Sequence, residues 1–552
     1  MLGVTGGLPP ASLADQKAPL RCLPPLVEAL LAAVLAALAY FALQGALPYH
    51  DAARFIGQLS GGSFVWDIAH ILLQPVALLL YRWSGADPAT VLKALSSLSA
   101  AAAVGLFHLL LLRLGVRRWQ AVLGTLLLAT SCSVLTLAPS AHPKLVAFPF
   151  INGAFLCLCV AERRGGKDTG LLLLGGVLLA LAAAFLASAL AIPLFAALAV
   201  LVAARRNRMG WGAALARAAV LAGTCGLAFL IIACVGYVLL TGEPLSLAGL
   251  TGSVMTKAEL RPAPIPLPVY LVRAVFGTVN NLIAVPVLGA TAQAWMRGQI
   301  PSLRPYAGLL PVLALWLLAA LLVTAIYART AAALVRGRPW LMPIAFLCAA
   351  QAWTIWYGLN DPEHWFQLTA PTIVLFLTLM PVAVVRWVLP AWAVVATAAN
   401  LALLAVPVAI YPLARHEAEL TRMLGPKDLL VYFASYPGRP YVGFYSLPGI
   451  HTFRVDVQLH APGATVDGVL HDMEAELDQT LLQGGRVMVA GILDPLDWDA
   501  PWMDLLGRRL TKARLEQALL ASRTAVRLPD LGGIRLWELR RSVPAGSAVP
   551  PG

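Results

Sequence analysis

LPPLVEALLAAVLAALAYFALQGAL, residues 23–47, carries a single charge, Glu28. It is long enough as a helix to cross about 30 Å of hydrocarbon. A cleaved signal peptide does not fit it, because the apolar stretch is long, lacks a processing site and is followed by others of its kind. Working outward, apolar segments recur at 89–112, 119–138, 145–161, 169–186, 188–204, 213–240, 270–292, 306–328, 340–357, 364–385 and 390–411. With 59% hydrophobic and 12% charged residues over 552 positions, the chain cannot be one water-soluble domain. The segment DIAHILLQPVALLLYRW, 67–83, is short and holds Pro75, so it reads as a partial or interfacial helix.

The formal charge of +13 does not imply a nucleic-acid partner. The basic residues sit in short connectors, RLGVRR (113–118), ERRGGK (162–167) and AARRNR (203–208), where they orient spans. With Lys17 and Arg21 cytoplasmic, the first span leads outward and 139–144, 187–188 and 241–268 fall outside. Arg329, Arg336 and Arg338 then break the alternation. A re-entrant segment around VPVLGATA (285–292) or a further crossing near 241–268 restores it. The seven cysteines have neither zinc nor iron–sulfur spacing and read as apolar packing.

From residue 416 the chain changes character, holding 16 of its 27 acidic residues. DLLVYFAS (428–435), YVGFYS (441–446), FRVDVQL (453–459), RVMVAGIL (486–493) and IRLWELRR (534–541) read as strands. GVLHDMEAELDQTLLQ (468–483) and TKARLEQALLAS (511–522) read as amphipathic helices. The expected architecture is an all-α polytopic membrane domain over 23–415, with about 11–13 transmembrane helices. A cytoplasmic N-terminus, 1–22, precedes it, and a small extracytoplasmic α/β domain, 416–552, follows. External loops are expected at 48–88 and 241–268.

The first of those loops, YHDAARFIGQLSGGSFVWDIAH (49–70), concentrates chemistry at the membrane edge. Asp67 and His70 are three apart, so a helical start would put both on one face, within reach of Asp51. A carboxylate there can deprotonate an attacking hydroxyl or hold a divalent cation, with Asp51 and Asp67 the candidate ligands. The plainer alternative is that Asp51 caps the helix AARFIGQL and Asp67 the helix from Ile68. No nucleotide-binding loop accompanies them, and no cofactor is required by the sequence.

HDAARF (50–55), followed by GGSFVWDIAHILLQPVALLLYR (61–82), resembles the first external loop of the GT-C superfamily of integral-membrane glycosyltransferases. The similarity is to the aminoarabinose and protein mannosyl transferase relatives, whose donors are polyprenyl-phosphate sugars. The resemblance implies Asp51 as general base, with Asp67 and His70 as further catalytic candidates. Ala52 stands where those relatives carry a second acid. It also implies a bacterial inner-membrane enzyme that moves sugar from a lipid-linked donor to a glycan, lipid or protein acceptor, with inversion.

Further substrate-binding candidates are Arg54, His142 and Lys144 of SAHPKLVAF (140–148), and Asp361, Glu363 and His364 of NDPEHW (360–365). Lys144 suits a lipid-borne phosphate, or alternatively snorkels from a span end. The residues of 360–365 suit sugar hydroxyls, a cation or the phosphate, or a capped turn beside Trp365. The loop 241–270, with Glu243, Lys257, Glu259 and Arg261, reads as a lid or a plain surface loop. The competing functions are an oligosaccharide transferase, a transporter and a non-catalytic assembly protein. Oligomeric state has no signature.

Overall fold

The structure is a computed structural model. It describes residues 23–45, 70–164, 168–250, 310–335, 362–409, 419–432, 451–459, 465–490, 512–529 and 536–542, with positions 52, 55–56, 58–59, 275, 277–279, 281–283, 492–493 and 510. Among these, seven helices are long and apolar enough to cross a membrane, and Thr169–Phe185 and Gln367–Leu379 are shorter apolar helices. The protein is a multi-pass, mostly helical membrane domain followed by a small α/β region. Most of the expected segments 270–292 and 340–357 lie outside the described residues.

The first helix, α1 (Pro25–Ala42), shows why these residues form a span. Its leucines Leu26, Leu30 and Leu38 are exposed where lipid would lie, while Ala29, Ala36 and Tyr40 are buried against protein. The inward alanines let neighbouring membrane helices approach closely. The short α2 (Leu73–Ser84) ends at Gly85, whose φ of 64° suits a residue without a Cβ. Asp87 then caps α3 (Pro88–Arg113) by accepting from Thr90 N at 3.0 Å.

Helices α1 and α3 run antiparallel. Lys93 Nζ, near the start of α3, donates to Gly45 O at 2.7 Å, just past the end of α1. At the other end His108 Nε2 lies 3.5 Å from Glu28 Oε2 and Arg118 Nη1 3.2 Å from Glu28 Oε1. Gly105 makes the approach possible, because a Cβ there would come within 2.8 Å of Ala29 O and 2.9 Å of Ala33 Cβ. Gly105→Val is therefore expected to push α1 off α3 and cost about 1–3 kcal/mol. It should appear as a lowered melting temperature of the detergent-solubilised chain. Gly223→Ala, with nothing within 4 Å of its Cβ position, should lose nothing.

The expected span 119–138 is two helices, α4 (Arg118–Ala129) and α5 (Cys132–Leu137), broken at Thr130–Ser131. Carbonyls freed at such breaks must find donors inside the protein. Tyr40 Oη donates to Ala129 O at 2.9 Å and Asn400 Nδ2 to Thr130 O at 2.7 Å. Ser96 Oγ donates to Leu137 O at 2.9 Å and Ser97 Oγ to Ala138 O at 2.8 Å.

A 3-10 turn, Pro143–Ala147, leads into α6 (Phe148–Arg163). Then come α7 (Thr169–Phe185), a second break with a 3-10 turn at Ala187–Leu190, α8 (Ala191–Arg206) and α9 (Trp211–Thr241). Pro193, with no N–H to give to Ala189, accounts for the helix not running through that break. Further along lie α10 (Leu310–Val335), α11 (Pro362–Leu379) with Pro371 inside it, and α12 (Val382–Asn400).

The C-terminal region is a five-stranded sheet in the order β2-β1-β3-β5-β4. Strands β1 (Leu429–Tyr432), β2 (His451–Arg454) and β3 (Val487–Ala490) are parallel, and β4 (Arg523–Arg527) and β5 (Leu536–Arg541) are antiparallel additions. Central β1 and β3 are buried along their whole length, as continuous apolar parallel strands are. FRVDVQL departs from its strand expectation: the strand stops at Arg454, and Val455–Leu459 is helix α13. The described pairing of β2 with β1 runs from His451 opposite Leu429 to Arg454 opposite Tyr432. Helices α14 (Val466–Leu482) and α15 (Lys512–Leu520) match the amphipathic segments.

Asp428 ties this sheet together. Its carboxylate accepts from Arg486 N at 2.7 Å, Gly425 N at 2.8 Å and Arg486 Nη2 at 2.9 Å. Burial pushes this carboxyl upward, but the amide and guanidinium bonds outweigh it and hold it below the usual carboxylate range. A carboxyl depressed by folding stabilises the fold above its unfolded pKa, and that contribution disappears as pH falls through the folded value. Hydrogen exchange of the β1 and β3 amides in the full chain, corrected for intrinsic rates, should therefore accelerate as pH drops below about 4. Asp428→Ala should already show the acceleration at pH 7, by about 3 kcal/mol in opening free energy.

Candidate functional site

The α1–α3 pair defines two ends of the bundle, and they differ in charge. At one end are Arg113, Arg117, Arg118, Arg163, Arg164, Arg205 and Arg208, which close helices or lie in the turns between them. The turn at Gly115 approaches Arg163, its Cβ position 3.4 Å from Arg163 Nη2. Arg205 stacks 4.4 Å from the Trp211 ring, and Arg164 pairs with Asp168 at 2.7 Å. The buried His108 belongs to this basic end, its Nδ1 3.0 Å from Thr125 Oγ1.

At the opposite end are the two 3-10 turns and the first-loop residues. His70 is 5% exposed, with its Nδ1 3.0 Å from Phe185 O and Phe55 edge-on to its ring at 5.2 Å between centroids. Leu72 N donates to Ala184 O at 3.1 Å, so the segment 70–72 is laced to the end of α7. Phe150 stacks on Phe185 at 5.5 Å.

His142, fully buried, caps the turn Pro143–Ala147 by accepting from Lys144 N at 3.4 Å. Lys144 is 5% exposed on that turn, which packs against both α3 and α7. Gln367, one turn into α11, donates from Nε2 to Ser188 Oγ at 2.7 Å, on the break that follows Phe185. The non-basic end thus holds two imidazoles, His70 and His142, the buried Lys144 and the buried Gln367 amide. In chemical type, an ammonium and imidazoles suit an anion and an amide suits a hydroxyl.

No family model and no curated protein sequence matches the chain. Solved structures do. The crystal structure of ArnT from Cupriavidus metallidurans bound to undecaprenyl phosphate is 12% identical, with 93% of this chain and 97% of that one covered at a TM-score of 0.51. The chain shares the fold of this ArnT structure. Two other matches score lower. The archaeal oligosaccharyltransferase AglB from Archaeoglobus fulgidus, in complex with an inhibitory peptide and a dolichol-phosphate, is 11% identical, with 94% of this chain and 75% of that one covered at a TM-score of 0.44. The S. cerevisiae protein O-mannosyltransferase Pmt1–Pmt2 complex bound to the sugar donor is 17% identical. That alignment covers 42% of this chain and spans only 36% of the yeast chain, with a TM-score of 0.35.

Within this fold the structure brings His70, His142 and Lys144 to one end. Asp51, Arg54, Asp67 and Asp361 lie outside the described residues, as do the side chains of Glu363 and His364 on the first turn of α11. Ala52 is completely buried, and Phe55 and Leu59 follow it at helical spacing into the same core. Among the described residues no group of three His, Cys, Asp or Glu side chains is arranged to hold a metal ion. Gln367 was not among the sequence candidates, which followed the charges of NDPEHW. Its signal is a lone amide in an apolar span, four residues before a proline.

Proposed function

We propose that the chain transfers a sugar from a polyprenyl-phosphate donor to an extracytoplasmic glycan, lipid or protein acceptor. The observation that supports this most is Lys144, an ammonium 5% exposed inside the bundle at the end away from the arginine-rich turns. On the positive-inside rule the arginine-rich end faces the cytoplasm, so Lys144, His142 and His70 face out. The GT-C fold gives the reading its chemistry, since the ArnT structure of that fold contains undecaprenyl phosphate.

In this reading the isoprenoid tail lies in lipid and its phosphate pairs with Lys144, assisted by Arg54 and His142. Asp51 takes the proton from the acceptor hydroxyl, whose oxygen attacks the anomeric carbon. The bond from that carbon to the phosphate oxygen breaks, and its electron pair leaves on polyprenyl phosphate, where Lys144 stabilises the charge. One displacement inverts the anomeric centre. Asp67 and His70 flank Asp51 as further catalytic groups, and Asp361, Glu363 and His364 hold sugar hydroxyls. The reaction as written does not call on a metal; a divalent ion bound by Asp51 and Asp67 would assist the same phosphate.

The test is reconstitution of the full chain in liposomes containing undecaprenyl-phosphate-[14C]hexoses, with an envelope fraction as acceptor. Label moving from lipid to acceptor supports the proposal. Label still on its lipid but carried to the other leaflet makes the protein a transporter.

A further inference from the structure

Gln367 is 3% exposed, and its amide is fixed by the bond from Nε2 to Ser188 Oγ at 2.7 Å. Its Oε1 is buried and has no hydrogen-bond partner among the described residues. Buried side-chain carbonyls are almost always paired, so an orphan asks for an explanation. The main chain adds a second acceptor at the same residue. Pro371, inside α11 and four residues on, has no N–H with which to close the helix bond onto the Gln367 carbonyl. By contrast, nearby Thr369 is already engaged by the Asn281 amide.

These two acceptors lie at the end of the bundle that holds Lys144 and His70, beside the break at Ala187–Leu190. An amide oxygen accepts and cannot donate. The phosphate of a lipid-phosphate sugar is an ionised diester, which also only accepts, so it is the wrong partner for Oε1. A sugar hydroxyl is the right one.

We propose that Gln367 is a donor-contacting residue whose Oε1 accepts a hydrogen bond from a hydroxyl of the lipid-linked sugar, so that it selects the sugar and leaves the phosphate to Lys144. This rests on the polyprenyl-phosphate reading of the site. Ser188 acts through Gln367 as a positioning residue, holding the amide so that its oxygen is presented to the ligand.

The experiment compares binding of undecaprenyl phosphate and of undecaprenyl-phosphate hexose to the full chain in nanodiscs. Gln367→Leu should weaken the sugar-bearing lipid about five- to ten-fold, the effect of one lost hydrogen bond, and leave the bare lipid phosphate unchanged. Gln367→Glu, which keeps an acceptor, should hold the sugar-bearing lipid within about three-fold. Ser188→Ala should weaken the sugar-bearing lipid alone, and it carries the test if Gln367→Leu does not fold.

Equal loss for both lipids, or no loss for either, overturns the assignment. So does a Gln367→Glu chain that loses the bare phosphate, since the amide nitrogen would then face the anion. A native chain that binds neither lipid brings down the donor reading itself. A native chain that binds the sugar-bearing lipid, with Gln367→Leu unimpaired, removes only Gln367.

Discussion

Asp51→Asn is expected to lower sugar transfer by about 10²- to 10⁴-fold while leaving donor binding intact, because the amide cannot take the acceptor's proton. That loss corresponds to about 3–5 kcal/mol in the barrier. The first loop follows directly on the first span, and the carboxylate is needed only as the acceptor oxygen attacks, so its removal should fall on kcat and spare the donor KM. The measurement is turnover of a labelled polyprenyl-phosphate sugar by native and Asp51→Asn chains of equal melting temperature. Equal rates would remove Asp51 from the mechanism and leave it as a helix cap.

Lys144→Ala should act on the other parameter. Its ammonium is nearly fully buried on a turn wedged against α3 and α7. In the proposed reading this ammonium meets the lipid-borne phosphate. A charge-assisted bond to phosphate contributes about 1.5–3 kcal/mol, so affinity for undecaprenyl phosphate should fall about 10- to 150-fold. Lys144→Arg should recover part of it. A purely structural lysine would behave differently: the alanine variant would melt lower, but the folded fraction would bind the lipid as well as the native chain does.

The spans were legible because lipid imposes one demand, a long apolar helix, and sequence displays it directly. The asymmetry of the ends was legible too, since the arginines of 113–118, 163–164 and 205–208 gather at one end in the fold. Breaks inside spans were harder to read. Thr130–Ser131 looks harmless in an apolar run, and the break is stabilised by Tyr40 and Asn400, which are distant in sequence. In the sheet, β4 escaped notice because RTAVR is an edge strand whose flanking arginines hide its alternation. FRVDVQL misled in the opposite direction: its alternation is real, but the strand stops at Arg454 and Val455–Leu459 is helical.

Of the proposed site, sequence offered the charged candidates and passed over the neutral one. Lys144 and His142 stand out at a span entrance, whereas Gln367 matters only through an orphaned oxygen and a proline that faces its carbonyl. Neither property exists until the chain is folded.

The most direct test is where the lipid phosphate sits. Undecaprenyl phosphate carrying a photoreactive diazirine next to its headgroup would be crosslinked to the full chain in nanodiscs and the labelled peptides mapped by mass spectrometry. Label on the segments holding Pro143–Ala147 and Ala187–Leu190, abolished by excess unlabelled lipid phosphate, is the predicted result. Label confined to the arginine-rich turns around 113–118 and 205–208 would contradict it, and would place the donor at the wrong end of the bundle for Asp51, Lys144 and Gln367 alike.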